Sequence, residues 1–175
     1  VLSEELFPAD YKLTQLLFLP FDNKNLLYFL QEKYDQLDPL GNYTVNDLEE
    51  ELQGGGDPVN LPAYMIDFVQ QFREDRKGKT LKQWENYLTG LFYEHVFSYQ
   101  NPFLNNWFAF EMNISNILTG LNCRDFERDP EEELIGDNAV TEAISKSSAR
   151  DFGLGSVLDY AGQVINIADK ENLLA

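Results

Sequence analysis

The chain has 175 residues, which is enough for one compact domain or two small ones with a buried core. Thirty acidic residues against thirteen basic ones give a formal net charge of −17. Phosphate recognition needs clustered Lys and Arg, so this composition argues against a nucleic-acid-binding surface and against adsorption to an anionic membrane, and it permits a basic protein partner.

Apolar residues recur at helical spacing almost throughout, and no alternation of apolar and polar residues is long enough to predict a strand. The sequence therefore predicts an all-α helical bundle, with Thr80 as the N-cap of one helix. In chain order the apolar stripes are Leu13, Leu16, Leu17; Leu26, Leu27, Leu30; Leu61, Tyr64, Met65, Phe68, Val69, Phe72; Trp84, Tyr87, Leu88, Leu91, Phe92, His95, Val96, Tyr99; Trp107, Phe110, Ile114, Ile117, Leu118, Leu121; and Leu154, Val157, Leu158, Ala161, Val164, Ile165, Ala168.

Residues 22–30 and residues 113–121 follow nearly the same pattern, D-x-x-N-L-L-x-x-L in the first copy and N-x-x-N-I-L-x-x-L in the second. The repetition predicts pseudo-repeated helical units, which are more typical of a structural or coupling part than of an enzyme. Asp22, Asn25, Asn113 and Asn116 are therefore candidate structural or partner-contact residues.

Two interpretations of the motif are open. In the first, Pro20 breaks a helix and Asp22 caps the next one, with Asn25 in its first turn. In the second, the helix runs through the motif, and the polar pair lies on one face and fixes by hydrogen bonds how two helices cross.

Residues 38–49 partly match a calcium-binding loop, with Asp38 at its first position and Glu49 at its last. Leu40 offers no ligand oxygen at the third position, and Tyr43 stands where the turn requires Gly. We therefore favour a turn followed by a helix that Thr44 caps and whose N-terminal dipole faces Asp47.

The basic residues cluster in one place, in the connection between two predicted helices. This patch favours a solvated connection, with contact to an acidic partner as the functional alternative. Its members are Arg73, Arg76, Lys77, Lys79 and Lys82.

Cys123 and His95 are the single cysteine and the single histidine, so an intrachain disulfide and a zinc site of His and Cys within one chain are both excluded. The two could form a nucleophile–base pair, but His95 lies on an apolar stripe, which favours a packed histidine. The sequence contains no Gly-rich phosphate loop, nucleophile elbow or metalloprotease helix. It predicts a protein that is not an enzyme, with no catalytic residue, metal ligand or cofactor.

Residues 1–130 are predicted to form the main helical bundle, which contains both motif copies, and residues 131–175 a less aromatic, acidic helical annex. The acidic run at 129–133 favours the start of a helix near Glu131 over a cation site. No apolar run reaches the ~20 residues that span a bilayer, and no signal peptide is visible. Because the chain opens at Val1 and stops at Ala175 inside a helical pattern, we expect a fragment of a longer protein, truncated at the C-terminus.

The repeated D-x-x-N-[LI] unit in an all-α chain resembles the C-subunit family of V-type ATPases, called d in eukaryotes. The blocks at residues 21–27, 134–138 and 148–154 look like a bacterial family of unknown function that is encoded among V-type ATPase genes. The last of these blocks adds Arg150 and Asp151 to the candidate motif residues. The second copy departs from the pattern by having Asn113 in place of Asp, and a third repeat is not visible.

The resemblance implies a non-catalytic component that couples the central stalk of a V-type ATPase to its membrane rotor ring during ion transport or ATP synthesis. The implied partners are stalk and rotor-ring subunits, with no nucleic acid. The implied location is the cytoplasmic side of the membrane, which the protein contacts only through its complex. The alternative hypothesis is a helical protein-interaction module unrelated to the ATPase. A carboxylate-based enzyme in a helical fold is the third.

Overall fold

The computed structural model describes residues 5–53 and 61–171. Within these ranges the chain is helical and has no β-strand, so the all-α prediction is confirmed. No helix in these ranges is long and apolar enough to cross a membrane. The α-helices are α1 (Pro8–Leu16), α2 (Leu19–Leu30), α3 (Val45–Gln53), α4 (Ala63–Glu74), α5 (Leu81–Phe97), α6 (Pro102–Asp125), α7 (Ala139–Lys146) and α8 (Ala161–Glu171), and short 3₁₀ turns span Tyr34–Gln36, Pro130–Glu132 and Leu154–Ser156.

Contacts divide the chain into two compact units, Val1–Val96 and Phe97–Ala175. The sequence-based division was placed elsewhere, between residues 130 and 131. The difference arises because α7 and α8, which follow residue 130, pack against the long helix α6, which precedes it. Each unit contains one copy of the repeated motif.

The first unit buries every residue of the predicted stripe of α4. The predicted stripe of α5 is buried at Trp84, Leu88, Phe92 and Val96 and half-buried at Tyr87, Leu91 and His95, whereas Tyr99 is exposed and lies beyond the end of the helix. Leu26 and Leu27 of α2 are buried, and α4 faces α5 through aromatic rings. Phe68 lies edge-on to Trp84 with ring centroids 5.7 Å apart, and Phe72 contacts the same indole at 5.2 Å. Such edge-to-face pairs stabilise a core beyond the area they bury.

The core of the second unit lies between α6, α7 and α8. Its buried residues are Ile117, Leu121, Val140, Ile144, Phe152, Leu154, Ala161 and Ile165. The sequence-based stripe of α6 is wrong in its first half, where Trp107 is 45% and Phe110 is 43% exposed. Leu104 and Phe108 are buried there instead, because the N-terminal half of α6 carries apolar side chains on two faces and spacing alone does not choose between them.

Two predicted helices in the second unit are shorter than expected. The prediction of an acidic α-helix that starts near Glu131 was wrong, because the chain forms only the 3₁₀ turn Pro130–Glu132 there. Gly136 then has a φ of 80°, a left-handed conformation that ends regular helix, and α7 starts at Ala139. Similarly, the stripe that begins at Leu154 starts in a 3₁₀ turn, and α8 begins only at Ala161.

Two helix starts follow the predicted capping chemistry. Thr44 Oγ1 accepts a hydrogen bond from Asp47 N at 3.2 Å, and Asp47 Oδ2 accepts one from Thr44 N at 2.7 Å. Thr80 and Gln83 form the same reciprocal pair at the start of α5. Each pair satisfies two backbone donors that a helix leaves free, which fixes where the helix begins.

Candidate functional site

Asn25 holds a loop against α2 through both ends of its side-chain amide. Its Nδ2 donates to the carbonyl oxygen of Asp38 at 2.9 Å, and its Oδ1 accepts from the Asp38 backbone N–H at 2.7 Å. Asn25 is 1% exposed, so these two bonds replace hydrogen bonds that its amide would make to water in the unfolded chain. We call this paired amide-to-backbone contact an anchor.

Asp22 lies one turn earlier on the same face of α2 and binds the end of the same loop. Its Oδ2 accepts from Asn42 Nδ2 at 2.6 Å, and its Oδ1 accepts from the backbone N–H of Tyr43 at 3.1 Å. The same Asn42 amide also donates to the carbonyl oxygen of Gln15 at 3.1 Å. Asp22 thus ties the residues just before α3 to α1 and α2.

The second copy of the motif forms the corresponding anchor in the second unit, together with an asparagine contact to its first position. Asn116 Nδ2 donates to the carbonyl oxygen of Ile135 at 2.8 Å, and Asn116 Oδ1 accepts from the Ile135 N–H at 2.9 Å. Asn113 Oδ1 accepts from Asn138 Nδ2 at 3.3 Å, and Asn138 is the N-cap of α7. Asn116, like Asn25, is 1% exposed.

The two copies also share the order of their parts. In each, the motif helix is followed by a 3₁₀ turn, the anchored residue, a glycine, an asparagine that binds the first motif position, and the next helix. A Cβ at Gly41 would lie 2.6 Å from Asp22 Oδ1, and a Cβ at Gly136 would lie 3.2 Å from Met112 Sδ. The loop therefore runs close to the motif helix in both units, and the repeat seen in the sequence is a repeat of structure.

The structure decides between the two interpretations of the motif. α2 begins at Leu19 with Pro20 in its first turn, so Asp22 lies inside the helix and does not cap it. Asn113 lies in the middle of α6. Both polar pairs lie on one helix face, as the second interpretation has it, but they bind the loop that leads into the next helix and not a facing helix.

Sequence reasoning missed part of this polar cluster. Asn23 is 8% exposed, and its Oδ1 accepts from the Tyr64 hydroxyl of α4 at 2.7 Å. Burial raises the pKa of the Tyr64 hydroxyl well above its usual value, and the nearby Asp22 raises it further. The signal in the sequence was Asn23 itself, a polar residue between buried positions, but nothing local identifies a partner 41 positions away.

Arg150 and Asp151 serve a turn in the second unit. Arg150 pairs with Asp169 of α8, and its carbonyl oxygen accepts from Arg124 Nη1 at 2.8 Å. Asp151 Oδ1 accepts from Gly153 N at 3.1 Å. These contacts position Phe152, which is 5% exposed and whose ring lies 5.1 Å from the Arg124 guanidinium.

The other predicted candidates have local structural explanations. Asp38 is held by Asn25, and its Oδ1 accepts from Leu40 N at 2.9 Å, so the residues proposed for calcium form a turn and the start of a capped helix. Asp129 Oδ1 accepts from Glu131 N at 2.9 Å at the start of its 3₁₀ turn. In residues 5–53 and 61–171, no group of three or more His, Cys, Asp or Glu side chains could hold a metal ion.

His95 and Cys123 are each explained within their own unit. The His95 ring lies 5.0 Å from the ring of Tyr64, and partial burial lowers its pKa. Cys123 is buried, and burial raises the pKa of its thiol, with a further contribution from Glu133. A raised thiol pKa disfavours the thiolate that a nucleophile requires.

The basic patch is largely engaged within the first unit. Arg73 donates to the carbonyl oxygen of Leu52, and the Arg76 guanidinium lies 5.7 Å from the Phe72 ring centroid. The Lys79 ammonium lies 4.8 Å from the Trp84 ring centroid. Lys82 forms a 3.4 Å ion pair with Glu85. Contact with an acidic partner stays a prediction.

Asp22, one turn before the Asn25 anchor on α2, is a buried carboxyl group with a shifted pKa. Burial raises its pKa to about 6, although the hydrogen bonds from Tyr43 and Asn42 act in the opposite direction. The Asp22 carboxyl group therefore binds a proton more readily in the folded protein than in the unfolded chain. The stability that this proton contributes is fully present below about pH 4 and is lost as the pH rises through about 6.

Asp22→Asn is expected to remove this dependence. Relative to the variant, the parent protein should lose up to about 3 kcal/mol of unfolding free energy between pH 4 and pH 7. Urea unfolding at several pH values measures it, with Asp159→Asn as a matched control, because Asp159 is exposed. Parallel pH profiles for the parent and Asp22→Asn would contradict the assignment.

These features define an all-helical protein of two units, each built on the same anchored helix–loop–helix. The chain belongs to the DUF2764 family of proteins of unknown function, whose family model matches residues 1–175. No curated protein and no solved structure matches it. The predicted relation to the C-subunit family of V-type ATPases stays a prediction.

Proposed function

We propose that this protein is a non-catalytic, C-subunit-like component of a V-type ATPase that couples the central stalk to the membrane rotor ring. The observation that supports this function most directly is the repeated anchor, in which Asn25 and Asn116 each bind both backbone groups of one loop residue. Repetition of one helical unit is typical of proteins whose task is to present and hold surfaces.

The anchors suit a part that carries load. A helix–loop–helix bends most easily at its loop, because loop backbone has few fixed partners. Here both loops are fixed to the preceding helix by buried side-chain amides, and each following helix starts with a side-chain cap. Such joints resist changes in the angle between their helices, and the transmission of torque requires that resistance.

The charge suits the same role. A net charge of −17 favours a basic protein surface as the partner and speeds the encounter with it. In this proposal the protein lies on the cytoplasmic side of the membrane and contacts the membrane only through the rotor ring. It needs no nucleotide, metal or cofactor of its own.

Affinity purification of the full-length protein from its native cells is expected to recover V-type catalytic, stalk and ring subunits, identified by mass spectrometry. The extraction must keep the ATPase assembled, which ATP hydrolysis in the same extract verifies. Recovery of none of these subunits from an extract with intact ATPase would overturn the proposal, as would an intact, coupled complex isolated without this protein.

The second candidate is an interaction module unrelated to the ATPase, and the N-terminal half of α6 favours it. Phe103 is 67% exposed and stacks on the ring of Trp107, with centroids 6.5 Å apart. Exposed aromatic clusters are typical of protein-binding surfaces. Repeating the purification with Phe103→Ser, and with Ile167→Ser as an exposed apolar control, separates the candidates. Loss of proteins other than ATPase subunits with Phe103→Ser alone would favour the module.

A further inference from the structure

A cavity of about 510 Å³ lies between α4 and α5 in the first unit. The α4 side and the connection that follows it contribute three carboxylates, Asp67, Glu74 and Asp75. The α5 side contributes the aromatic side chains of Trp84 and Tyr87. A cation in this cavity would be attracted by the carboxylates on one side and by the faces of the aromatic rings on the other.

A cation of this chain already lies in the cavity. The Lys79 ammonium is 4.8 Å from the Trp84 ring centroid and 6.0 Å from that of Tyr87. Lys79 belongs to the short connection between α4 and α5 and is exposed, so its side chain can leave without disturbing a helix. The aromatic wall therefore accepts an ammonium group, and the one it holds is replaceable.

Trp84, one of the residues that line the cavity, also carries a buried donor without an acceptor. Trp84 is 2% exposed, and its Nε1 has no hydrogen-bond partner in the part of the chain that the structure describes. A buried N–H without an acceptor is unfavourable, so an oxygen atom that reached Trp84 Nε1 once Lys79 had left would be favoured there. A ligand that supplies both a cation and a carbonyl oxygen satisfies both needs.

We propose that this cavity binds a basic peptide segment of a partner protein, whose lysine or arginine side chain takes the place of Lys79. The side chain would lie on Trp84 and Tyr87 between the carboxylates, and a main-chain carbonyl oxygen of the segment would accept from Trp84 Nε1. A basic peptide fits better than a nucleic acid or a lipid headgroup, because phosphate would face Asp67, Glu74 and Asp75. Of the neighbouring basic patch, Arg73 binds the carbonyl oxygen of Leu52, Arg76 lies over the Phe72 ring, and Lys82 pairs with Glu85. The proposal does not rest on the ATPase assignment, since the anchors play no part in it.

Fluorescence of Trp84 measures this binding. The chain has two tryptophans, so Trp107→Phe leaves Trp84 as the single reporter, and Trp107 belongs to the other unit. The probe is an acetylated and amidated hexapeptide of alternating lysine and alanine, with the corresponding glutamate peptide as its control. We expect a saturable change with the lysine peptide at constant ionic strength and none with the glutamate peptide.

Lys79→Ala provides the decisive comparison. Removal of the competing ammonium is expected to tighten binding roughly threefold to tenfold. Lys82→Ala changes the net charge equally, but Lys82 pairs with Glu85 and does not line the cavity, so it should leave the affinity within about twofold of the parent. Equal effects of the two substitutions would show non-specific attraction to an acidic protein and would overturn the proposal.

Two further arms test the carboxylates and the class of ligand. Glu74→Gln combined with Asp75→Asn should weaken binding more than Glu49→Gln combined with Glu50→Gln, an exposed acidic pair on α3 with the same change in charge. N-acetyl-lysine methylamide should bind more weakly than the hexapeptide. If it binds as tightly, the site takes a small cation and the assignment to a peptide segment is wrong.

Discussion

Asn25→Asp is expected to lower the unfolding free energy by about 2–4 kcal/mol at pH 7, although it replaces one nitrogen atom by oxygen. One carboxylate oxygen can still accept from the Asp38 N–H. The other would face the Asp38 carbonyl oxygen, now 2.9 Å from Asn25 Nδ2, so a hydrogen bond becomes a repulsion between two acceptors in a buried site. Urea unfolding followed by circular dichroism measures the loss.

Asn116→Asp should lose a similar amount, because Asn116 makes the same two bonds to Ile135. Asn106→Asp is the matched control, since Asn106 lies on the same helix, is exposed, and adds the same charge. Its effect should stay within about 0.5 kcal/mol. Loss of stability in one anchor variant but not in the other would contradict the equivalence of the two copies.

Low pH offers a check on the mechanism. A protonated carboxyl group offers one donor and one acceptor, the two functions that the Asn25 amide uses here, so it can restore both bonds. The deficit of Asn25→Asp relative to the parent should therefore shrink as the pH falls towards 5. A deficit that is constant with pH would mean that shape and not hydrogen bonding determines the loss.

Gly41→Ala is the second substitution for which we expect a large effect, a decrease of about 2–4 kcal/mol in the unfolding free energy. The added Cβ would lie 2.6 Å from Asp22 Oδ1 and 2.8 Å from Asn25 Nδ2. Neither atom can move away freely, because each already takes part in a hydrogen bond to the loop. The methyl group must therefore push the loop off α2 or break the anchor, and thermal unfolding measures the result.

Gly90→Ala is the matched control for this change. A Cβ at Gly90 meets nothing within 4 Å in the part of the chain that the structure describes, and the residue lies inside α5. Alanine there should stabilise the protein by up to about 1 kcal/mol, because glycine is the poorer helix former.

Combining Gly41→Ala with Asn25→Asp should lower the unfolding free energy by less than the sum of the two single effects, since both substitutions break the same contact. Strict additivity would contradict the proposed contact.

Much of the local structure was accessible from the sequence. The stripe of α4 and the caps at Thr44 and Thr80 were predicted correctly. The repeat at Asp22 and at Asn113 was identified as well. These features depend on residues within one or two turns of each other, where helical period and capping chemistry act directly.

The partners of the motif residues were not accessible in the same way. Asn25 binds a backbone 13 positions later and Asn116 one 19 positions later. The two anchored positions, Asp38 and Ile135, have different residue types, because the bonds are made to their main-chain atoms. A sequence pattern cannot reveal a backbone partner, since every residue other than proline offers the same two groups.

The sequence by itself determined that this protein is helical, acidic and internally repeated, because composition and the period of apolar residues act locally. Only the tertiary structure decided that the division by contacts falls between Val96 and Phe97, that α6 buries Phe108 and exposes Trp107, and that the motif fixes loops to helices. The physical reason is common to all three. Each depends on which surfaces meet after the chain has turned back on itself, and the loops that direct the turns are fixed by long-range bonds to main-chain atoms that every sequence provides.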